Sequence, residues 1–123
     1  MAKLLPEIWE KEIINIKIDI DWVQETSEQL IKDFNMLDIP LEFKPLAHRP
    51  YIDLFDQAKV MIKDLFEKDY HSFLNLLYRI DLSEADLHCV VTHSQPPELY
   101  DDITELLLKR EFMKVVLRHQ YSH

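Results

Sequence analysis

Not one glycine occurs in this chain of 123 residues, where average usage of about 7% would place roughly nine. Glycine accepts a left-handed backbone without steric cost and lets a ligand approach the main chain closely. Phosphate-cradling loops, dinucleotide fingerprints and nucleophile elbows all rely on that freedom, so those site types are excluded. The absence also takes away the usual left-handed terminator of helices. A mostly helical chain punctuated by Pro, Asp and Ser is what remains.

The length matches one ordinary domain with a single core. Apolar residues make up 47% and charged residues 30%, which is too hydrophobic for disorder and too mixed for a membrane protein. Unbroken apolar runs are short, such as Leu106-Leu107-Leu108, against the roughly 20 residues needed to cross a bilayer. Glu7 and Glu10 interrupt the N-terminus before a signal-peptide core could form. Cys89 is the only cysteine, which rules out an intrachain disulfide and agrees with a reducing compartment. The cytoplasm is therefore the expected location.

The net charge is −9. Residues 1–50 carry ten acidic against six basic side chains, residues 51–95 eight against four, and residues 96–123 five against four. No segment is net basic, which argues against nucleic acid as a ligand. A charge-guided partner would be basic.

Proline divides the chain at Pro6, at Pro40, Pro45 and Pro50, and at Pro96-Pro97. In the first block, Ile13, Ile16, Ile20, Val23, Ser27, Leu30, Phe34 and Leu37 recur at spacings of three and four, predicting one long helix. Ile14, Ile16, Ile18, Ile20 and Trp22 also alternate with polar residues, so a short strand at 13–20 is the alternative. Pro40 to Pro50 reads as an extended surface linker. A second helix is expected from Tyr51, with Ile52, Phe55, Ala58, Ile62, Leu65 and Phe66 inward. A third follows an Asp69 cap over about Tyr70 to Ile80, burying Phe73, Leu74, Leu77 and Ile80. Ser83-Glu84-Ala85-Asp86 resembles a cap for a fourth helix reaching about Thr92.

The last helix opens at Pro97, with acids in its first turns and Lys109, Arg110, Lys114 and Arg118 later, as the helix dipole favours. Its apolar residues cover much of its circumference, which makes it the expected central helix. The predicted fold is an all-α, single-domain bundle of about five helices over 1–123, long at both ends, with shorter paired helices between and a Pro-rich linker at 39–50. The helix stops at Asn35 to Asp38 and at Asp81 are the weakest points, because no glycine is there to make them.

Candidate sites are few. His88, Cys89 and His93 could approach one ion from a helix, but zinc takes three or four ligands and no motif completes the set. The simpler reading is a buried cysteine beside two loop-proximal histidines. Tyr78-Arg79-Ile80-Asp81 puts an aromatic, a cation and an anion at a helix end. Dipole and corner chemistry explain it, with partner recognition as the functional option. Arg110 continues an apolar stripe and should pair with an acid from another helix, or else anchor a ligand carboxylate or phosphate.

Asp101-Asp102 and Asp19-Asp21 read as a solvated acidic face, and no Glu-x-x-His pair suggests a di-iron site. His119 and His123 lie four apart at a fraying end. Trp9, Trp22, Tyr51, Tyr100 and Tyr121 fit core packing best, although aromatics also mark interfaces. Ile14, Ile18 and Trp22 form a second apolar face on the first helix, which suggests a homodimer.

No residue is singled out as catalytic, cofactor-binding or metal-ligating. The expectation is a non-enzymatic protein–protein interaction module, acting through the first helix or an acidic groove, with no nucleic acid or membrane partner. An inhibitor or immunity-type protein that binds a basic partner, or a weak metal-binding domain, is the alternative.

Overall fold

The structure, a computed structural model, describes residues 20–44, 46, 49–82 and 84–121. Five helices fill it: α1 Ile20–Asn35, α2 Pro50–Lys68, α3 Tyr70–Arg79, α4 Glu84–His93 and α5 Glu98–Tyr121. There is no strand among the described residues. The N-terminal half of the predicted long helix, and nearly all of the alternative strand at 13–20, lie outside them; Ile20 is helical.

The core is one cluster that runs from Val23, Leu30 and Phe34 through Leu54, Ile62, Phe73 and Leu76 to Ile103, Leu107 and Phe112. α5 is central, bordered by α1, α2 and α4, while α3 packs on α2 and α1. Its burial explains this position. Ile103, Thr104, Leu107, Leu108, Glu111, Phe112, Met113, Val115 and Val116 are all buried, and these positions surround the axis where an ordinary amphipathic helix would present one stripe. Among its described side chains Glu98, Arg118 and His119 are the exposed ones.

Aspartate does the work of the missing glycine. Asp38 and Asp81 hold left-handed backbone at φ 58 and φ 61. After α1, Ile39 N donates to Phe34 O at 3.0 Å and Asp38 N to Asn35 O at 3.0 Å; after α3, Leu82 N donates to Leu77 O at 3.2 Å and Asp81 N to Tyr78 O at 3.2 Å. The two stops are the same Schellman motif, each with its apolar residue, Ile39 or Leu82, folded back onto the core. An L-residue there costs roughly 1–2 kcal/mol, less for Asp and Asn. Asp38→Gly should consequently raise stability by up to about 1 kcal/mol. Chemical denaturation would show it as a higher midpoint at unchanged slope, whereas a lower midpoint would mean that the Asp38 side chain outweighs its backbone strain.

The other joints follow local chemistry. Asp69 ends α2 by donating its N–H to Leu65 O and starts α3 by accepting from Ser72 N at 3.2 Å and Ser72 Oγ at 2.7 Å. Pro50 opens α2, where its missing N–H is not needed. The linker is less superficial than expected: Leu41 and Leu46 are buried, and the Gln57 amide grips the Lys44 backbone with bonds of 2.7 and 3.4 Å.

Two buried faces differ from the expected ones. On α2 the inward positions are Tyr51, Leu54, Ala58, Ile62 and Leu65, and Ile52 is exposed. On α3, Leu76 is buried and Leu74 is exposed. In each helix two apolar stripes one residue apart compete, and the neighbouring helix selects between them. Tyr51 wins over Ile52 because its hydroxyl finds a partner, donating to Glu105 at 2.6 Å.

Candidate functional site

The two buried acids of the interior meet where the C-terminal end of α3 approaches α1 and α5. Asp33 lies between Leu30 and Phe34 on the inward face of α1 and is 2% exposed. Lys114 Nζ of α5 donates to its Oδ2 at 2.8 Å, Gln29 Nε2 of α1 reaches the same atom at 3.4 Å, and Arg79 Nε of α3 stands 3.4 Å from Oδ1. Burial pushes the Asp33 carboxyl up. The neighbouring Glu111 carboxyl, the hydrogen bond from Lys114 and the Lys114 charge outweigh it and hold the group below the usual aspartate range.

Glu111 is the second buried acid, fully inaccessible between Leu107 and Val115 on α5. Its Oε1 is 3.0 Å from Lys114 Nζ, but that ammonium is aimed at Asp33, and neither Glu111 oxygen accepts a well-formed hydrogen bond. Burial drives its carboxyl up to about 8, the neighbouring Asp33 carboxyl adds to this, and Lys114 opposes it. The surroundings thus favour the protonated form of Glu111 and the ionised form of Asp33.

On the far side of the same corner, Arg110 Nε donates to Ile80 O at 3.1 Å and its terminal nitrogen meets Asp81 Oδ2 at 3.3 Å. Arg110 thus pairs with an acid, although one in the turn after α3 and not on another helix as expected, and at the same time it binds the Ile80 carbonyl at the C-cap of α3. A cavity of about 310 Å³ opens beside it. Leu82, Leu106 and Met113 give it apolar walls, while Asp81, Asp86, Lys109 and Arg110 bring both signs of charge. These groups can recognise charge and shape.

Outward from this corner, Tyr70, Leu74 and Tyr78 lie at spacings of four on one face of α3 and are 53%, 43% and 90% exposed. The Tyr70 ring is fixed by Phe73, stacked at 5.7 Å, and by the edge of Phe66 at 5.5 Å. A second groove, of about 480 Å³, runs along α1 with Asp21, Glu25 and Glu28 around Trp22 and His119.

The remaining candidates are dispersed. His88, Cys89 and His93 are all exposed on α4, so the expected burial of Cys89 is incorrect. α4 is a short helix packed on α5 through Leu87 and Val90, which leaves Cys89 on the solvent side. Among the described residues, no three His, Cys, Asp or Glu side chains stand close enough to hold a metal. Asp101 pairs with Lys59 at 2.8 Å, and Asp102 accepts from the Ser94 hydroxyl. His119 Nε2 is 2.6 Å from Glu25 Oε2. Tyr51 and Tyr100 are buried with hydroxyls on Glu105 and Glu67, and burial followed by those carboxylates pushes both phenols up. Trp22 packs edge-on against Phe112 at 5.9 Å and tilts over His119 at 5.0 Å. Trp9, Ile14, Ile18, Asp19 and His123, and the Tyr121 side chain, lie outside the described residues.

Asp33 and Glu111 were missed from sequence, although a signal was present. Glu111 is spaced four from Leu107 and from Val115, and Asp33 three from Leu30; each puts a carboxylate on an otherwise apolar stripe. No family model, no curated protein and no solved structure matches the chain.

Proposed function

We propose that this protein is a non-enzymatic interaction module that binds another protein through the outer face of α3. The observation that carries the reading is the Tyr70, Leu74 and Tyr78 stripe, about 12 Å long at 1.5 Å per residue. Single exposed hydrophobes are ordinary, but contiguous ones mark interaction surfaces. Tyr is enriched at energetic hot spots because a rigid amphipathic ring gives contact area at small entropic cost. Tyr70 is already immobilised by Phe66 and Phe73. The Tyr78 residue, whose carbonyl serves the stop of α3, is 90% exposed.

A photoreactive amino acid at Tyr78, introduced in the native host, tests this against the same probe at Val60, which is 59% exposed on α2. One discrete adduct from position 78 that is absent from position 60 is expected. Equal labelling at both, or none, would remove the proposal. Tyr78→Ala should leave folding stability within about 0.5 kcal/mol and weaken binding of the captured partner by about 2 kcal/mol or more, roughly thirtyfold, by calorimetry.

A second reading has its own support. The groove on α1 carries Asp21, Glu25 and Glu28 in a chain of net charge −9, which suits a basic partner of the kind an inhibitor or immunity protein would meet. Strong weakening of binding by added salt would favour this groove over α3. Homodimerisation through the first helix remains a proposal of lower rank, since Trp22 of that face is engaged with Phe112 and His119 inside the chain.

A further inference from the structure

The two unsatisfied oxygens of Glu111 call for an explanation, because a fully buried carboxylate without hydrogen bonds is among the least tolerable groups in a fold. A proton resolves the problem. A protonated Glu111 has an O–H to donate, and Asp33 across the α1–α5 seam shares an ammonium with it, Lys114 Nζ standing 3.0 Å from Glu111 Oε1 and 2.8 Å from Asp33 Oδ2. Asp33 then keeps Lys114 at 2.8 Å, Arg79 at 3.4 Å and Gln29 at 3.4 Å around its oxygens.

We propose that Asp33 and Glu111 together hold one proton at neutral pH and that its loss at higher pH loosens α1 and the end of α3 from α5, making the cluster a pH-responsive latch. When the proton leaves to solvent, two carboxylates face each other in the interior, and one ammonium, Lys114, must serve both. Arg79 faces only the Asp33 side.

Other titratable groups around α5 stand elsewhere. From α2, Tyr51, Lys59 and Glu67 meet Glu105, Asp101 and Tyr100, more than a turn before Glu111. From α4, Asp86 shares the cavity with Lys109 and Arg110. Along the seam with α1, Arg118 donates to Gln29 Oε1 at 2.9 Å, one step outside the cluster, and His119 pairs with Glu25, about half exposed.

The sign follows from linkage. The folded-state Glu111 carboxyl is raised to about 8 from an ordinary 4.5, so the folded chain binds a proton that the unfolded chain has released. The stabilisation is full below about 4.5 and is lost as pH rises toward 8.

Urea unfolding of wild type and Glu111→Gln at intervals from about pH 5 to about pH 9 tests this, with carbon-13 NMR of the wild-type Glu111 carboxyl run in parallel. Glutamine keeps the shape and a donor but cannot ionise. The unfolding constant of wild type should rise by roughly a hundredfold or more relative to that of Glu111→Gln over this range, and the carboxyl signal should titrate near 8. Parallel pH profiles for the two proteins would overturn the latch. So would a Glu111 signal already ionised at pH 6, a result that stands even if the glutamine variant fails to fold.

Discussion

Asp33→Ala is expected to lower the unfolding free energy by about 3–5 kcal/mol, the range for breaking a buried ion pair by removing one partner. The substitution withdraws the group that Lys114 and Arg79 both address and leaves Glu111 without the acceptor for its proton. Lys114 can then turn wholly to Glu111, already 3.0 Å away, which favours ionised Glu111 and places the loss nearer the lower figure at high pH. Urea unfolding at neutral pH measures it, and a loss below about 1 kcal/mol would mean that Asp33 is solvated rather than buried. A second variant separates the worth of the cluster from the cost of breaking it. Asp33→Leu, Glu111→Leu and Lys114→Met combined should be neutral or more stable by about 1–4 kcal/mol, as apolar replacements of buried ion clusters often are. Severe destabilisation of that triple variant would show that the polar network itself holds the helices in register.

Asp33 also fixes behaviour at the acid end, with the opposite sign to Glu111. Its carboxyl is held below the ordinary 3.8, so its stabilisation is present above that value and is lost as pH falls through the depressed one. Together the two acids place their greatest combined contribution between 3.8 and 4.5, well below neutrality.

Truncating Phe112 should be similarly costly. Phe112→Ala removes a ring that is 1% exposed and meets the edge of Trp22 at 5.9 Å, and such truncations cost about 3–5 kcal/mol. The loss has two parts, the transfer of the ring's apolar surface and the cavity it leaves between α1 and α5. Because α5 is surrounded by packed neighbours, the cavity has little freedom to collapse, which favours the upper end. Thermal unfolding at matched pH provides the comparison; a loss near 1 kcal/mol would mean that α1 and α5 do not pack through this ring.

Much of this fold could be read along the chain. The Asp69 cap and the all-round apolar α5 rest on interactions within a few residues of one another, and those are written in consecutive letters. Arg110 was assigned an acid partner because an arginine on an apolar stripe needs one, although which acid would serve was open. The inward faces of α2 and α3 were displaced at Ile52 and Leu74 because neighbouring stripes of equal hydrophobicity differ only in what they meet across the interface. Cys89 was misplaced for a related reason: its helix has apolar residues enough to be buried but lies at the edge, where only Leu87 and Val90 find neighbours.

The candidate site was legible only in part. Tyr78 and Arg79 drew notice as an aromatic beside a cation, but nothing local separates an exposed tyrosine from a packed one. Asp33 and Lys114 are 81 positions apart, and no periodicity links them.

The missing glycine shows where the division falls. Excluding the phosphate and dinucleotide loops and favouring helices needed no more than the residue list, because those effects depend on whether a backbone can adopt a given φ at all. The stops at Asp38 and Asp81 needed the fold. Aspartate enters left-handed backbone only at a cost, and Ile39 and Leu82 offset it by closing onto a core that exists once α1, α3 and α5 have come together. The same assembly turns Glu111 from an ordinary acid into a proton holder, since desolvation is a property of surroundings and not of the residue.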